Sequence, residues 1–124
     1  AQDFILSAEV YAVLLPKDVQ TPQLLFQAGD VAGAIRNYEQ SLALFERINE
    51  EYPDFEKGSQ VLFMRAFTLD AELRRFEEAK LLYEEFLEKY PNDELAESAK
   101  FSLANLGKSE EEIIQGFMKK QEEQ

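Results

Sequence analysis

The chain aligns with itself. Moving residues 21–53 forward by 38 positions lays them on residues 59–91. Identical residues recur at Leu24/Leu62, Ala28/Ala66, Arg36/Arg74, Glu39/Glu77, Leu44/Leu82, Tyr52/Tyr90 and Pro53/Pro91. Apolar or small character is kept at Val31/Leu69, Tyr38/Phe76, Ser41/Ala79, Phe45/Tyr83 and Ile48/Phe86. A fixed period of roughly 20–50 residues marks stacked units, each burying its apolar face only against its neighbours. Such a repeat constrains the architecture far more than the activity.

The bulk properties narrow the classes. The 124 residues suffice for one domain with a contiguous core. Apolar residues make up 45% of the chain, with ten Phe and five Tyr, which argues against disorder despite a net charge of −12. That charge repels phosphate backbones and anionic membrane surfaces, so nucleic acid is not an expected partner. A basic or neutral protein fits better, beside the plainer reading that acidity keeps a helical surface soluble. Cysteine and histidine are both absent, which removes disulfides, thiolate nucleophiles and Cys/His zinc sites. No cofactor or metal is expected. No apolar run approaches the roughly 18–20 residues of a membrane span, and Ile5–Leu15 is interrupted by Ser7 and Glu9. A start at Ala1 without methionine leaves a signal peptide or lipid-attachment segment upstream open.

Helical periodicity dominates, and the expected class is all-α with about six helices. Phe4, Ala8, Tyr11 and Leu15 give one amphipathic stripe that stops at Pro16. Thr21 is an expected N-cap, with Pro22 at the first helical position. A helix from about Pro22 to Ala32 should break near Gly33. Its partner should run from about Ile35 to Glu51 and end before Pro53, because a residue preceding proline avoids the α region. The cycle then repeats, with helices from about Glu56 to Glu72 and about Phe76 to Lys89. A further helix, about Asp93 to Asn105, should stop at Gly107. Ser109 with Glu112 is a capping box opening a last helix through about Lys119, with Ile113, Ile114, Phe117 and Met118 as its apolar stripe. The tail Gln121–Gln124 is expected to fray. Residues 1–124 read as a single domain. A half-repeat helix (1–16) precedes repeats at 21–53 and 56–91, and a degenerate third pair with a capping helix occupies 93–120.

Spacing within the second helix of each unit is specific. A small residue (Ser41, Ala79) is followed at +4 by an aromatic (Phe45, Tyr83), at +7 by a large apolar residue (Ile48, Phe86), and at +12 by proline. The small residue admits close helix approach, the next two fill the seam, and proline ends the helix. This pattern resembles the tetratricopeptide repeat family. The resemblance implies helix A/helix B hairpins stacked into a right-handed α-solenoid. Leu24–Ala28 and Leu62–Ala66 are similar to the family's helix A stretch, but Gln27 and Arg65 stand where apolar residues are usual. The small residues of helices A and B lie 13 apart, one more than usual, which implies an enlarged turn. The wording Phe86-Leu87-Glu88-Lys89-Tyr90-Pro91-Asn92-Asp93, with Ala96 and Ala99 after it, is similar to bacterial cell-envelope proteins of this family. It implies a periplasmic or envelope setting.

The resemblance implies a concave helix A surface that binds peptides or helices. Carried onto this chain, that surface holds Leu25, Gly29 and Ala32, then Gln60, Phe63, Phe67 and Asp70, then Ser98, Phe101 and Asn105. Phe63 and Phe67, one turn apart, would anchor a partner's apolar side chain. The competing reading packs both rings against the neighbouring pair. Arg74 and Arg75 would pair with a partner carboxylate or form ordinary surface ion pairs. Glu84-Glu85 and Glu110-Glu111-Glu112 are adjacent rather than one turn apart, so they do not converge as a catalytic pair. The expected role is a non-catalytic scaffold for a protein or peptide. The alternative is a self-assembling module of the bacterial envelope, driven by apolar faces at Phe4–Leu15 or Ile113–Met118. A monomer and a homodimer both stay open.

Overall fold

In the computed structural model, which describes residues 1–123, the chain is built from helices and turns. Among the described residues seven α-helices follow one another: α1 (Gln2–Leu14), α2 (Thr21–Ala34), α3 (Tyr38–Glu51), α4 (Gly58–Phe67), α5 (Phe76–Lys89), α6 (Ala96–Ala104) and α7 (Glu110–Glu122). A π-helical segment, Thr68–Glu72, prolongs α4. Among the described residues there is no strand. The all-α, solenoid-like class is as the repeat demands, with seven helices in place of about six. Packing follows chain order: α1 on α2, α2 on α3, α3 on α4, α4 on α5 and α5 on α6. Neighbour-on-neighbour packing of this kind is what a stacked repeat predicts.

The tightest seams lie at small residues. Ala28, Ser41, Ala66 and Ala79 are all buried, none more than 3% exposed. Ser41 Oγ donates to the Gly29 carbonyl at 2.9 Å, so the one polar member of the set keeps a hydrogen bond inside the seam. Two apolar clusters result. Ile5, Ala8 and Ala12 of α1 join Leu25, Phe45, Ile48 and Val61 in the first. Leu62, Ala66, Tyr83, Phe86, Ala96 and Ala99 belong to the second. The division falls between Val61 and Leu62, so α4 faces both clusters.

Three helices end alike. Leu15, Tyr52 and Tyr90 precede Pro16, Pro53 and Pro91, and their φ/ψ values are −130/61°, −130/63° and −131/55°. Steric conflict with the proline ring keeps the preceding residue out of the helix. Each following turn then makes the same two backbone bonds. Asp18 and Thr21 donate to Leu15 and Asp18, Phe55 and Gly58 to Tyr52 and Phe55, and Asp93 and Ala96 to Tyr90 and Asp93.

The turns within the hairpins centre on Arg36 (φ 64°) and Arg74 (φ 56°), repeat equivalents in the left-handed region. That conformation costs a non-glycine residue about 1–2 kcal/mol. The first turn closes with Asn37 N–H on the Ala32 carbonyl (2.8 Å) and Arg36 N–H on that of Gly33 (3.0 Å), a Schellman arrangement. The second is one residue wider: Leu73 N–H reaches the Thr68 carbonyl at 3.0 Å, and Arg75 N–H that of Leu69 at 2.7 Å. There the enlargement of the turn takes the form of the π segment.

Several local expectations change. The break expected near Gly33 falls one residue later, after Ala34. Because Arg36 is left-handed, α3 starts only at Tyr38, capped by the Asn37 side chain accepting from Gln40 N–H. Thr21 is not an N-cap; its buried hydroxyl donates to the Leu15 carbonyl at 2.6 Å. The buried face of α1 is Ile5, Ala8 and Ala12, while Phe4 and Leu15 are exposed. That helix is apolar around most of its circumference, so periodicity does not choose the face, and two alanines allow close approach to α2. The Ser109 cap forms, with its Oγ accepting from Glu112 N–H at 3.2 Å. However, α7 runs on to Glu122, so Gln121 does not fray; Gln124 lies outside the described residues.

Candidate interaction surface

The repeat places Leu25, Phe63 and Phe101 at one equivalent position, and their surroundings differ by unit. Leu25 is fully buried in the cluster with Ile5, Ala8, Ala12 and Phe45. It therefore offers nothing to a partner, contrary to its expected place in a groove; packing of α1 on α2 encloses it. Gly29 and Ala32 are buried as well. A Cβ on Gly29 would collide with the Phe45 ring, so the ring rests directly on the glycine. The first unit's share of the expected surface is core.

In the second unit the same three positions hold Phe63, Phe67 and Asp70. Phe63 is half-buried and meets Tyr83 and Phe86 edge-on, both at 6.0 Å between centroids. Its other contact is a stacked pairing with Phe67 at 6.2 Å. Phe67 itself is 47% exposed. Phe63 thus satisfies the core reading, and Phe67 presents an open ring held by its neighbour. Asp70 accepts a hydrogen bond from the buried Tyr83 hydroxyl at 3.0 Å. Burial raises the Tyr83 pKa above its ordinary value, with the nearby Asp70 charge adding to the shift and Ser102 opposing it. The Asp70 carboxylate is engaged within the fold. The alignment carries a signal for this pair, since Ala32 with Phe45 becomes Asp70 with Tyr83.

In the third pair, Phe101 stacks on Phe117 of α7 at 6.1 Å and remains 47% exposed. Ser98 is exposed, and Asn105 donates to the Phe101 carbonyl at 2.8 Å. The candidate residues do not converge on one pocket. Gln60 and Phe63 line a cleft of about 750 Å³ with Met64 and the turn at Asp93–Leu95. Phe101 and Asn105 line another, of about 380 Å³, with Ile113 and Phe117. Beyond the Phe117 contact, α7 buries no residue, and Ile114 and Met118 stay more than half exposed.

Arg65, Arg74 and Arg75 are committed inside the chain. Arg75 pairs with Glu39 of the preceding unit at 2.6 Å and with Glu78 at 2.7 Å. Arg74 lies 4.7 Å over the Phe76 ring. Arg65, where an apolar residue is usual, donates to Asn49 of α3 at 3.1 Å and so ties the units together. Among the described residues, no group of three or more acidic, Cys or His side chains could hold a metal ion. No helix among them is long and apolar enough to cross a membrane.

A family model described as tetratricopeptide repeat matches residues 23–54 and 60–93, more than half of the chain. No curated protein and no solved structure matches it.

Proposed function

Because the chain belongs to the tetratricopeptide repeat family, we propose that it is a non-catalytic scaffold binding a protein or peptide on its helix A face. Repeats of this family are generally protein–protein interaction modules. The observation that carries the reading is the exposed Phe67 ring, stacked on Phe63 and followed along the array by the exposed Phe101. Aromatic anchors with a fixed orientation dominate interface energetics, because they bring large area and little entropy loss. The carboxylates of Glu84 and Glu110–Glu112 are exposed, which suits solvation rather than acid–base chemistry. The wording at Phe86–Asp93 supports a bacterial envelope setting, which fractionation of native cells checks.

The test is a crosslinked pull-down from the native host with wild type and Phe67→Ala. The variant should lose the specific partner while its circular dichroism and melting temperature stay unchanged. Retention of the partner at wild-type yield sinks the helix A assignment. Phe63→Ala is the poorer probe, because its ring also packs on Tyr83 and Phe86.

A second reading, self-association, is favoured by one observation. On α1, Leu6, Val10, Val13 and Leu14 are between 47% and 71% exposed. Counting back from Pro53 and Pro16, the matching positions of α3 are Ala43, Arg47, Glu50 and Glu51, mostly charged. A mass by light scattering across a dilution series decides; a strict monomer at every concentration removes this reading.

A further inference from the structure

A cleft of about 870 Å³ lies between the turn after α1 and the turn after α3 (residues 15–20 and 52–57), at the edge where one unit passes into the next. It is separate from the helix A residues discussed above. Apolar groups form much of it: Pro16, Val19, Pro22, Tyr52, Pro53 and Phe55. Val19 is 90% exposed and stands open to a ligand. The two sides are tied together, because the Tyr52 hydroxyl donates to the Pro16 carbonyl at 2.7 Å. The second side is anchored inward, where the Phe55 ring meets Phe26 edge-on at 6.2 Å. Pro16 and Pro53 carry no N–H, so backbone pairing with a ligand strand is poorly served here. A ligand side chain is better served than a ligand backbone.

The rim decides which side chain. Asp18, Glu51, Asp54 and Glu56 line the cleft against one cation, Lys17. Asp18 accepts from Gln20 N–H at 2.8 Å, and Glu51 is paired with Arg47 at 2.9 Å. Asp54 and Glu56 take part in no ion pair or side-chain hydrogen bond among the described residues. The site thus combines an apolar slot with two exposed, uncommitted carboxylates in its lining. Lysine and arginine have the complementary build, an apolar stem ending in a cation that carboxylates bind well. Tyr52 in the lining supplies an aromatic ring, a group that attracts cations. The chain's charge of −12 draws such a segment in from solution.

We infer that this cleft docks a Lys or Arg side chain from a basic segment of a partner protein, as a second binding surface distinct from the helix A face. The apolar stem lies against Val19, Tyr52 and Pro53, and the cationic head meets Asp54 and Glu56.

The probe is a fluorescein-labelled nonapeptide, Gly-Ser-Leu-Arg-Leu-Arg-Leu-Ser-Gly, with a counterpart in which citrulline replaces both arginines. Anisotropy should show binding of the arginine peptide that weakens with salt, and far weaker binding of the citrulline form. Amide chemical shifts should move at residues 17–20 and 52–57. The double variant Asp54→Asn/Glu56→Gln should lose about five- to tenfold in affinity, the scale of two exposed charge pairs. These are exposed side chains, so folding is not at risk. Phe67→Ala should bind the probe as wild type does, which separates this surface from the helix A reading. Equal binding of the citrulline peptide, an unaffected double variant, shifts centred on α4–α6, or no binding at millimolar peptide would each overturn the inference.

Discussion

The hairpin α2–α3 and the hairpin α4–α5 have the same residue spacing, the same left-handed arginine and the same proline stop, yet they fill their seams in opposite ways. The first buries Gly29 against the Phe45 ring, buries Ala32 as well, and closes its turn with a Schellman bond pair. The second carries Phe67 and Asp70 at those places. Its ring at the seam, Tyr83, sends a hydroxyl to Asp70, and its turn widens into a π segment. One unit uses the positions for packing, and the other uses them for an open ring and a polar tether. A shared backbone plan therefore leaves each unit free to be core or surface, position by position.

The comparison breaks most visibly at the rings. Phe45→Ala removes a side chain only 1% exposed and should cost about 3–5 kcal/mol in chemical denaturation. Phe67→Ala in the other unit should cost less than about 1 kcal/mol. Equal losses would mean that Phe67 is as enclosed as Phe45. Next comes Gly29→Ala, whose new Cβ would collide with the Phe45 ring. A net cost of about 1–3 kcal/mol is expected, partly restored by adding Phe45→Leu.

Tyr83→Phe sharpens the contrast further. At neutral pH it should cost about 0.5–1.5 kcal/mol through loss of the Asp70 bond. Its larger signature is alkaline. The hydroxyl's folded pKa lies above its ordinary 10.0, so its stabilising effect is complete below about pH 10 and is lost as pH rises beyond it. The variant should show a shallower fall in melting temperature above pH 10 than wild type. Because burial also raises Tyr38 and Tyr52, the slope should diminish rather than vanish.

The smallest effect concerns the two turns. Arg36→Gly should stabilise by about 0.5–1 kcal/mol, since glycine adopts the left-handed conformation without strain. Arg74→Gly should gain less, because it also forfeits the stacking of Arg74 on Phe76. Thermal melts of the paired variants measure the difference.

Much of the fold was legible because the period and the prolines act locally. Ala28, Ser41, Ala66 and Ala79 could be placed in seams from spacing alone, and Pro16, Pro53 and Pro91 mark the helix ends. The candidate surface was less legible. Leu25 and Phe63 are equivalent in sequence, but the packing of α1 against α2 encloses Leu25, and no period encodes that. Phe4 and Leu15 misplace the buried face of α1 because apolar residues surround the helix. The spacing implies an enlarged turn but not which unit widens into a π segment, since the spacing from Ala66 to Ala79 is identical to that from Ala28 to Ser41.

The double allegiance of α4 bears on how the molecule comes apart. Val61 belongs to one apolar cluster and Leu62 to the other, so a ten-residue rod is the shared wall of both. A protease nick in the 52–57 turn would leave each fragment with a bare oily flank matched only by the other, and the halves should stay clasped until denaturant parts them. Heating the intact chain should accordingly melt both halves together, because neither can lose that wall and survive alone.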